Sequence, residues 1–344
     1  MSATTYTIQL AGQDAAFSCA SDDTLLRAAL RAGLGLSYEC NAGACGSCKI
    51  DLVEGELIDL FPEAAGLRPR ERERGRRLAC QSRPAGDCTI QARLGGEYQP
   101  RHRPQRQAAT LQAVRDITHD IREFSFRVAA PAQFLPGQYA MLALPGASTA
   151  YGPRAYSMSN VPNAQGLWQF MVRRVPRGVV SNALFSLAPG AVVEIDGPYG
   201  LAFLREECAR DIVCIAGGSG LAPMASVLDG AAGHPRTSRL GAWLFYGGRG
   251  PRDVPAVAQV LHLHGVDKGL RWHPVVSVPA LAQEGGWVGE VGFVHELLPR
   301  TLPQPLPAYE YYLAGPPPMI EAAVRLLVSE YKVPQQQLHF DRFF

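Results

Sequence analysis

The chain has 344 residues, 47% of them hydrophobic and 19% charged, and a formal net charge of +2. This length predicts two or three domains, and the apolar content excludes disorder on a large scale. The net charge argues neither for nor against nucleic acid. No apolar run approaches the length of a membrane span and no secretory signal is recognisable, so we expect a cytoplasmic protein with no membrane or nucleic-acid partner.

Residues 1–95 predict a small α+β domain. The runs "YTIQL" and "AAFSC" alternate as strands do, and "KIDLVEG" and "CTIQARL" predict further strands after a long loop that holds three cysteines. Before that loop, "SDDTLLRAALRAGL" has apolar residues at helical spacing. Asp22 or Asp23 is the expected N-cap of this helix, and Gly33 ends the pattern.

Residues 96–107 are rich in Gly, Pro, Gln and Arg and lack apolar periodicity, which indicates a linker. Residues 108–205 then contain six β-like runs and one short helical run, "VSNALFSL". The six runs are "TLQAVRDIT", "IREFSFRV", "QYAMLAL", "RAYSMS", "WQFMVRRV" and "AVVEIDG". Six strands at this spacing, punctuated by Gly and Pro, predict an antiparallel β-barrel.

Residues 206–344 differ in character, because strands now alternate with helices. "DIVCIAGG" is a continuous apolar strand that ends in glycines, and "GAWLFYGG", "LRWHPVVSV" and "YEYYLAG" are further strand-like runs. Helical runs follow the first two of these strands, and "FVHELL" and "PMIEAAVRLLVSEY" are helical as well. This alternation predicts a parallel, doubly wound α/β domain.

Four cysteines have the spacing C-x4-C-x2-C…C, at Cys40, Cys45, Cys48 and Cys80. A disulfide scaffold is not favoured, because structural disulfides are rare in the cytoplasm and eight cysteines are few for this length. A zinc ribbon needs a second C-x2-C knuckle, and a thioredoxin-type pair opens a helix without further cysteines. The spacing is that of plant-type [2Fe–2S] sites, and buried free cysteines are the remaining alternative.

The residues between the first three cysteines are small, which lets the backbone wrap closely around a cluster and point its amides at the sulfurs. This stretch resembles the plant-type ferredoxins, and the resemblance implies a β-grasp domain that carries one electron at a time. The other cysteines match no ligand position, and we interpret them as small apolar residues. These are Cys19, Cys88, Cys208 and Cys214.

The run "RAYS" on a predicted barrel strand resembles the R-x-Y-S signature of the ferredoxin–NADP reductase family of flavoproteins. The resemblance implies that Arg154 faces the flavin phosphates. It also implies that Tyr156 packs on the isoalloxazine ring and that Ser157 hydrogen-bonds near its reactive N5 edge. A four-residue motif identifies a family only together with its context, and here the predicted barrel and the nucleotide domain after it provide that context.

The run "GVVS" opens the short helix of the predicted barrel. Its residues are Gly178, Val179, Val180 and Ser181. The free amides at a helix N-terminus suit a pyrophosphate, so this run favours FAD over FMN as the flavin.

The run "IAGGSGLAPM" ends a predicted strand and opens a helix. Gly218, Ser219, Gly220 and Pro223 form G-x-G-x-x-P, in which the glycines let the backbone approach a phosphate and the proline suits the first helical turn. The same reductase family uses this variant of the glycine loop for NAD(P)H. We therefore expect the nicotinamide dinucleotide here.

The end of the next strand bears on the choice between NADH and NADPH. Arg249 and Arg252 suit the 2′-phosphate of NADPH, whereas Asp253 suits the free ribose hydroxyl of NADH. The residues leave this choice open, and the family resemblance favours NADH.

The last part of the chain carries two more family features. "AGPPPM" resembles the C-G-P-P-x-M motif, with Ala314 in place of the cysteine and with Gly315 and Pro316 retained. The chain ends "HFDRFF", and the resemblance implies that Phe343, with Phe344 as its rival, stacks on the flavin until nicotinamide displaces it. Asp341 is then the acidic neighbour. A plain hydrophobic anchor is the alternative for this tail.

The order of the three modules resembles the reductase components of multicomponent oxygenases, and most closely those of soluble diiron toluene monooxygenases. The resemblance implies an electron path from NADH to FAD, to [2Fe–2S], and to a Rieske ferredoxin or diiron oxygenase partner. Reductases of Rieske ring-hydroxylating dioxygenases and of deoxysugar dehydratases share the order. A cofactor-binding redox sensor without turnover is a more remote alternative.

An arginine-rich run between residues 68 and 77 lies between cluster ligands in the sequence. We hypothesise that it steers an acidic partner, with charge reversal at Arg74 and Arg76 as the test. The more ordinary alternative is a solvated helix face held by Arg–Glu pairs.

Overall fold

The computed structural model describes residues 3–144, 152–256, 269–303 and 305–344. By its contacts the chain divides into two compact units. The first comprises Met1–Arg106 with Asp196–Tyr199, and the second comprises Gln107–Ile195 with Gly200–Phe344. Within the described ranges, no helix combines the length and the hydropathy that crossing a membrane requires.

The first unit is built on a five-stranded mixed sheet. The strands of the whole unit are β1 (Thr5–Leu10), β2 (Ala16–Ala20), β3 (Lys49–Glu54), β4 (Leu57–Asp59), β5 (Arg76–Leu78), β6 (Ser82–Pro84) and β7 (Cys88–Ala92). Its α-helices are Leu25–Arg31 and Pro69–Glu73. The sheet order is β2-β1-β7-β3-β5, with β1 and β7 parallel, and β4 pairs with β6. Helix Leu25–Arg31 is buried along almost its whole length. The predicted α+β, β-grasp domain is confirmed.

The start of helix Leu25–Arg31 differs from the prediction. Its N-cap is Thr24, whose hydroxyl accepts a hydrogen bond from the Arg27 amide at 3.4 Å, and neither Asp22 nor Asp23 has that role. Arg31 and Arg106 both form ion pairs with the Asp23 carboxylate, which is therefore engaged elsewhere. The C-terminal end of this helix agrees with the prediction, because Gly33 has a φ of +87° just beyond it.

The second unit begins with the predicted six-stranded antiparallel barrel. Its strands are β8 (Gln105–Asp116), β9 (Ile121–Arg127), β10 (Tyr139–Ala143), β11 (Arg154–Ser157), β12 (Leu167–Arg173) and β13 (Val192–Tyr199), with helix Val179–Phe185 between the last two. The order is β11-β10-β13-β8-β9-β12. A bridge between Met158 and Phe170 brings the first and last strands together, so the sheet is almost closed. Strand β8 begins inside the predicted linker, because backbone pairing does not require apolar side chains.

The rest of the second unit is the predicted parallel α/β domain. Its strands are β14 (Asp211–Gly217), β15 (Ala242–Gly248), β16 (Arg271–Val276), β17 (Glu290–Val291), β18 (Tyr309–Gly315) and β19 (Leu338–Arg342), in the order β17-β16-β15-β14-β18-β19. The described α-helices are Leu221–Gly233, Pro279–Glu284, Val294–Thr301 and Pro317–Arg325. Alternate residues of β14 enter two different cores, as expected for a sheet covered on both faces. The helix predicted between β15 and β16 lies outside the described residues.

A buried hydroxyl joins helix Leu221–Gly233 to the barrel. The Ser226 side chain, which has no exposed surface, donates to the Asn160 carbonyl at 2.6 Å and accepts from the Gly137 amide at 3.2 Å. One side chain therefore satisfies two backbone groups of the barrel that water does not reach. This contact fixes how helix Leu221–Gly233 lies against the barrel within the second unit.

We expect Ser226→Ala to lower the free energy of unfolding by about 1–3 kcal/mol, because it leaves a buried donor and a buried acceptor unpaired. The measurement is urea denaturation followed by circular dichroism. Ser329→Ala is the matched control, since Ser329 is exposed and its replacement should change stability by less than about 0.5 kcal/mol. Equal midpoints for both variants would contradict the role assigned to Ser226.

Candidate functional site

The loop from Cys40 to Cys48 is folded so that backbone amides face its sulfurs. The amides of Ala42 and Cys45 lie 3.5 and 3.4 Å from Cys40 Sγ, and the Ser47 amide lies 3.4 Å from Cys45 Sγ. The backbone reaches this shape through positive φ at three positions. These are Asn41 (52°), Gly43 (81°) and Gly46 (77°).

The fourth predicted ligand comes to the same place from a distant part of the chain. Cys80 lies in the short 3₁₀ turn Ala79–Gln81, and the Ala79 amide donates to the Cys48 carbonyl at 2.9 Å. As a result, Cys48 Sγ and Cys80 Sγ are 3.3 Å apart and both are buried. The structure thus brings the predicted cluster ligands together, and none of them is in a disulfide.

The loop leaves no space for side chains where the glycines stand. A Cβ on Gly46 would lie 2.6 Å from the Gly66 carbonyl oxygen, and one on Gly43 would lie 3.1–3.4 Å from Gln81, Ala64 and Phe61. A hydrogen bond from the Cys40 thiol lowers the pKa of Cys45 to about 5, with help from Ser47. Clustered thiols, amide donors and a glycine cradle fit a [2Fe–2S] group.

The remaining cysteines differ in their surroundings: Cys214 lies in an apolar core, whereas the Cys208 thiol donates to the Glu310 carboxylate at 3.4 Å, so Cys208 is not the purely apolar residue that we expected. Cys19, Cys88 and Cys214 are buried, and Cys208 is half-buried. Burial raises the pKa of Cys19 to about 12 and that of Cys88 to about 11. Their thiols therefore stay protonated at neutral pH, which matches the expectation that they act as small apolar residues.

The arginine-rich run is partly neutralised within the first unit. Arg72 pairs with Asp59, and Arg76 pairs with Asp51 at 3.1 Å and with Glu71 at 3.2 Å. By contrast, Arg74 is exposed and forms no ion pair within the described ranges. These pairs support the solvated-face alternative for part of the run, and the steering of a partner stays a prediction.

The "RAYS" residues form strand β11, which pairs with β10 so that Ser157 lies opposite Tyr139 and Tyr156 lies opposite Ala140. Arg154 is exposed, Tyr156 packs against the barrel core, and Ser157 is buried. Burial raises the pKa of Tyr156 to about 12, so its hydroxyl stays protonated. The strand therefore offers an exposed cation, an aromatic ring and a hydroxyl in sequence.

The "GVVS" residues open helix Val179–Phe185, with Gly178 as its N-cap. The Ser181 hydroxyl accepts from the Val175 amide and donates to the Gly178 carbonyl, both at 3.2 Å. A Cβ on Gly178 would lie 2.7 Å from that hydroxyl. Ser181 thus shapes the turn with its side chain, and its part in binding a cofactor stays a prediction.

A cavity of about 480 Å³ opens at the carboxyl ends of β14, β15 and β18. This is where ligands bind in open α/β sheets, and the volume is typical of a ligand site. Three predicted residues line it, namely Gly218, Arg249 and Pro316. Ser219, Gly220, Pro223 and Gly315 do not line it.

Gly220 and Gly315 instead allow close packing behind the cavity. A Cβ on Gly220 would lie 2.0 Å from the Ala314 carbonyl oxygen, and one on Gly315 would lie 3.0 Å from the Gly217 carbonyl oxygen. The Phe343 amide donates to the Gly315 carbonyl at 2.9 Å, so the C-terminal residues follow strand β19 to the same end of the sheet. Phe343 is half-buried, whereas Phe344 is 66% exposed.

The cavity also contains barrel residues that no sequence motif identified. Asp120 and Arg173 line it and form an ion pair at 2.7 Å, and a Cβ on Gly218 would lie 3.8 Å from an Arg173 nitrogen. His119 Nε2 lies 2.9 Å from the carboxylate of Asp253, another lining residue. Because these barrel residues lie far along the chain from the glycine loop, only the folded structure brings them to it.

Burial by itself would raise the pKa of Asp253. Hydrogen bonds from His119 and from the Gly250 and Arg249 amides outweigh that effect, and the pKa lies below its ordinary value. Asp253 is therefore ionised at neutral pH. Arg249 lines the cavity as well, whereas Arg252 does not.

Family models match three consecutive parts of the chain. A 2Fe-2S iron-sulfur cluster binding domain matches residues 8–85, an oxidoreductase FAD-binding domain matches residues 108–203, and an oxidoreductase NAD-binding domain matches residues 214–325. The predicted set of [2Fe–2S], FAD and nicotinamide dinucleotide is thereby confirmed.

Several known proteins resemble the chain over almost its whole length. The chain is 38% identical to the ferredoxin–NAD(P)(+) reductase CarAd of Metapseudomonas resinovorans, over 98% of this chain and 100% of that protein. It is also 38% identical to the ferredoxin–NAD(+) reductase component of the alkene monooxygenase system of Xanthobacter autotrophicus, over 95% and 97%. A solved ferredoxin reductase in carbazole 1,9a-dioxygenase superposes with a TM-score of 0.90, at 38% identity over 99% of each chain.

We expect Gly46→Ala to abolish or strongly reduce cluster incorporation, because the added Cβ meets the Gly66 carbonyl oxygen. Iron and acid-labile sulfide per chain measure this directly. Gly12→Ala is the matched control: Gly12 has a similar φ of +73° but nothing within 4 Å of its Cβ position, so it carries the same backbone strain without the collision. Full iron content in Gly46→Ala would show that the cradle tolerates a side chain.

Proposed function

The chain belongs to the family of ferredoxin–NAD(P)(+) reductases, and on that premise we propose that it is the reductase component of an aromatic-hydrocarbon monooxygenase of the toluene type. It delivers electrons from NADH to a separate acceptor protein, either a Rieske ferredoxin or a diiron oxygenase component. The observation that carries this proposal is the gathering of the four cysteines into one site on a chain that also has a flavin-type barrel and a dinucleotide cavity.

When bound, FAD would supply an acceptor for one hydride, which is two electrons and a proton, from the nicotinamide, and the [2Fe–2S] cluster would supply a one-electron carrier. We propose that Tyr156 and Ser157 hold the flavin ring and that Arg154 and the amides of residues 178–181 hold its phosphates. Phe343, with Asp341 two residues before it in the sequence, would cover the ring in the absence of nicotinamide. All of these roles consist in binding and orientation.

Further proposed roles belong to the dinucleotide and to the cluster. The loop from Gly218 to Pro223 and residues Gly315 and Pro316 position the nicotinamide nucleotide. The thiolates of the four clustered cysteines hold the iron, and the amides of Cys45 and Ser47 moderate the negative charge on sulfur. Ala42 and Ser47 are exposed, so the cluster loop lies at the surface of its unit, as electron delivery to a partner requires.

A second candidate is the reductase of a ring-hydroxylating dioxygenase. The solved relative from carbazole 1,9a-dioxygenase favours it, whereas the relative from an alkene monooxygenase system, at the same 38% identity, favours a monooxygenase. Overall sequence identity therefore does not discriminate between the two classes of oxygenase. The rate at which each acceptor protein is reduced does discriminate between them.

The deciding experiment starts with the oxidised holoprotein in a stopped-flow spectrometer. NADH should bleach the flavin bands first and the [2Fe–2S] envelope afterwards. The reduced protein is then mixed with purified acceptors, namely the Rieske ferredoxin and diiron hydroxylase of a toluene monooxygenase and the ferredoxin of a ring-hydroxylating dioxygenase. Fastest reduction of a monooxygenase component supports the first candidate, and fastest reduction of the dioxygenase ferredoxin supports the second.

Cys80→Ser is the matched variant for this experiment, because it removes one cluster ligand and leaves the second unit unchanged. It should retain NADH bleaching of the flavin and lose acceptor reduction by at least about tenfold, which places electron delivery at the cluster. Reduction of acceptors at the normal rate by Cys80→Ser would contradict the proposed path.

We base the proposed preference for NADH over NADPH on the charge of Asp253 at the cavity wall. Ionised Asp253 repels the 2′-phosphate of NADPH and so opposes the attraction of Arg249, which also lines the cavity, whereas Arg252 lies outside the wall. We expect Asp253→Asn to raise kcat/KM for NADPH relative to NADH by roughly tenfold, which corresponds to about 1.4 kcal/mol of relieved repulsion. Steady-state kinetics with both nucleotides give the ratio.

Asp211→Asn is the control for that substitution. Asp211 also accepts a hydrogen bond from a backbone amide, that of Gly241 at 2.7 Å, but it stands at the opposite end of strand β14. The ratio of kcat/KM for NADPH to kcat/KM for NADH should be the same in Asp211→Asn as in the wild type. An unchanged ratio in Asp253→Asn would remove Asp253 as the source of the preference.

A further inference from the structure

Arg27 is a buried cation in the first unit. It belongs to helix Leu25–Arg31 and is only 7% exposed, in a segment whose neighbours are Leu, Ala and Thr. A helical arginine normally keeps its guanidinium in water, because burying an unbalanced charge costs several kcal/mol. Something therefore has to balance the Arg27 charge inside the domain.

No carboxylate of the described residues forms an ion pair with Arg27, in contrast to two other arginines of this unit. Arg31 pairs with Asp23 and, at 2.6 Å, with Asp196. Arg106 pairs with Asp22 at 3.1 Å and with Asp23 at 2.8 Å. The acidic groups around this helix are thus already engaged by other cations.

The Arg27 side chain lies against the cluster loop instead. Its Nε donates to Asn41 Oδ1 at 3.3 Å, and Asn41, which is 1% exposed, directly follows Cys40. The Asn41 Nδ2 group is buried and has no acceptor among the described residues. The helix that carries Arg27 also packs against the turn Ala79–Gln81. The Arg27 guanidinium and the Asn41 side-chain amide are therefore buried beside the cluster loop, and no carboxylate of the described residues pairs with either group.

We propose that Arg27 is the internal counter-cation of the [2Fe–2S] cluster and raises its reduction potential. Four thiolates and two sulfides outweigh the charge of the two irons, so the loaded site is anionic, and reduction adds one more negative charge. A buried cation nearby stabilises the reduced form more than the oxidised form. The assignment uses only the cluster and does not depend on which acceptor protein receives the electron.

The test is a spectroelectrochemical titration of the holoprotein and three variants. Arg27→Gln removes the charge and should lower the midpoint potential of the cluster, so that less cluster is reduced at a fixed ratio of NADH to NAD⁺. Arg27→Lys keeps the charge and should stay near the wild-type potential. Arg70→Gln removes an exposed arginine of the same unit that forms no ion pair among the described residues, and solvent screening should leave its potential unchanged.

Iron and sulfide content are measured in the same samples. If Arg27→Gln fails to hold a cluster while Arg27→Lys holds one at the normal potential, the counter-cation role is supported, because the positive charge is then needed for assembly. An unchanged potential in Arg27→Gln would overturn the proposal. So would equal shifts, or equal loss of cluster, in Arg27→Gln and Arg27→Lys, since the hydrogen-bond geometry would then matter and the charge would not.

Discussion

The first unit depends on a close contact between two backbone segments. The residues at this contact are glycines, so no side chain separates the segments. The Gly66 amide donates to the Gly43 carbonyl at 2.9 Å, and the Gly46 amide approaches Gly66 too closely for a Cβ on either residue. Because the loop is held this tightly, three thiols from a short stretch face the turn that carries Cys80. The proposed position of the cluster, and with it the proposed exit point for electrons, follows from that contact.

Charge is handled differently in the two units. In the first, Arg31 and Arg106 engage the carboxylates of Asp22, Asp23 and Asp196, and the Arg27 side chain contacts Asn41 of the cysteine loop instead. In the second, His119 and two backbone amides hold the Asp253 carboxylate in its ionised form at the cavity wall, which Arg249 also lines. In our proposals, the first site tolerates added negative charge, and the Asp253 carboxylate of the second disfavours the 2′-phosphate of NADPH.

Local patterns predicted much of this protein, and long-range contacts account for what they missed. The cysteine spacing predicted the proposed cluster ligands because three of them lie in one loop, and period-two and helical runs predicted most of the strands and helices. The N-cap of the first helix was predicted wrongly because Arg106, far along the chain, engages Asp23. Asp120 and Arg173 reach the dinucleotide cavity from barrel strands and carry no motif. No sequence pattern identified Arg27, because its contact with Asn41 of the cysteine loop exists only in the folded domain.

Ala314 has a chemical consequence for the durability of the protein. In place of the thiol expected there, Ala314 is fully buried at the end of β18, and its backbone packs against Gly220 of the glycine loop. Peroxide and alkylating reagents therefore find no thiol at that position, and sulfinic acid or a mixed disulfide cannot form there. The cysteine loop of the first unit holds Cys45, whose pKa is lowered to about 5, so oxidation of thiols should affect the proposed outlet for electrons before it affects the oxidation of NADH.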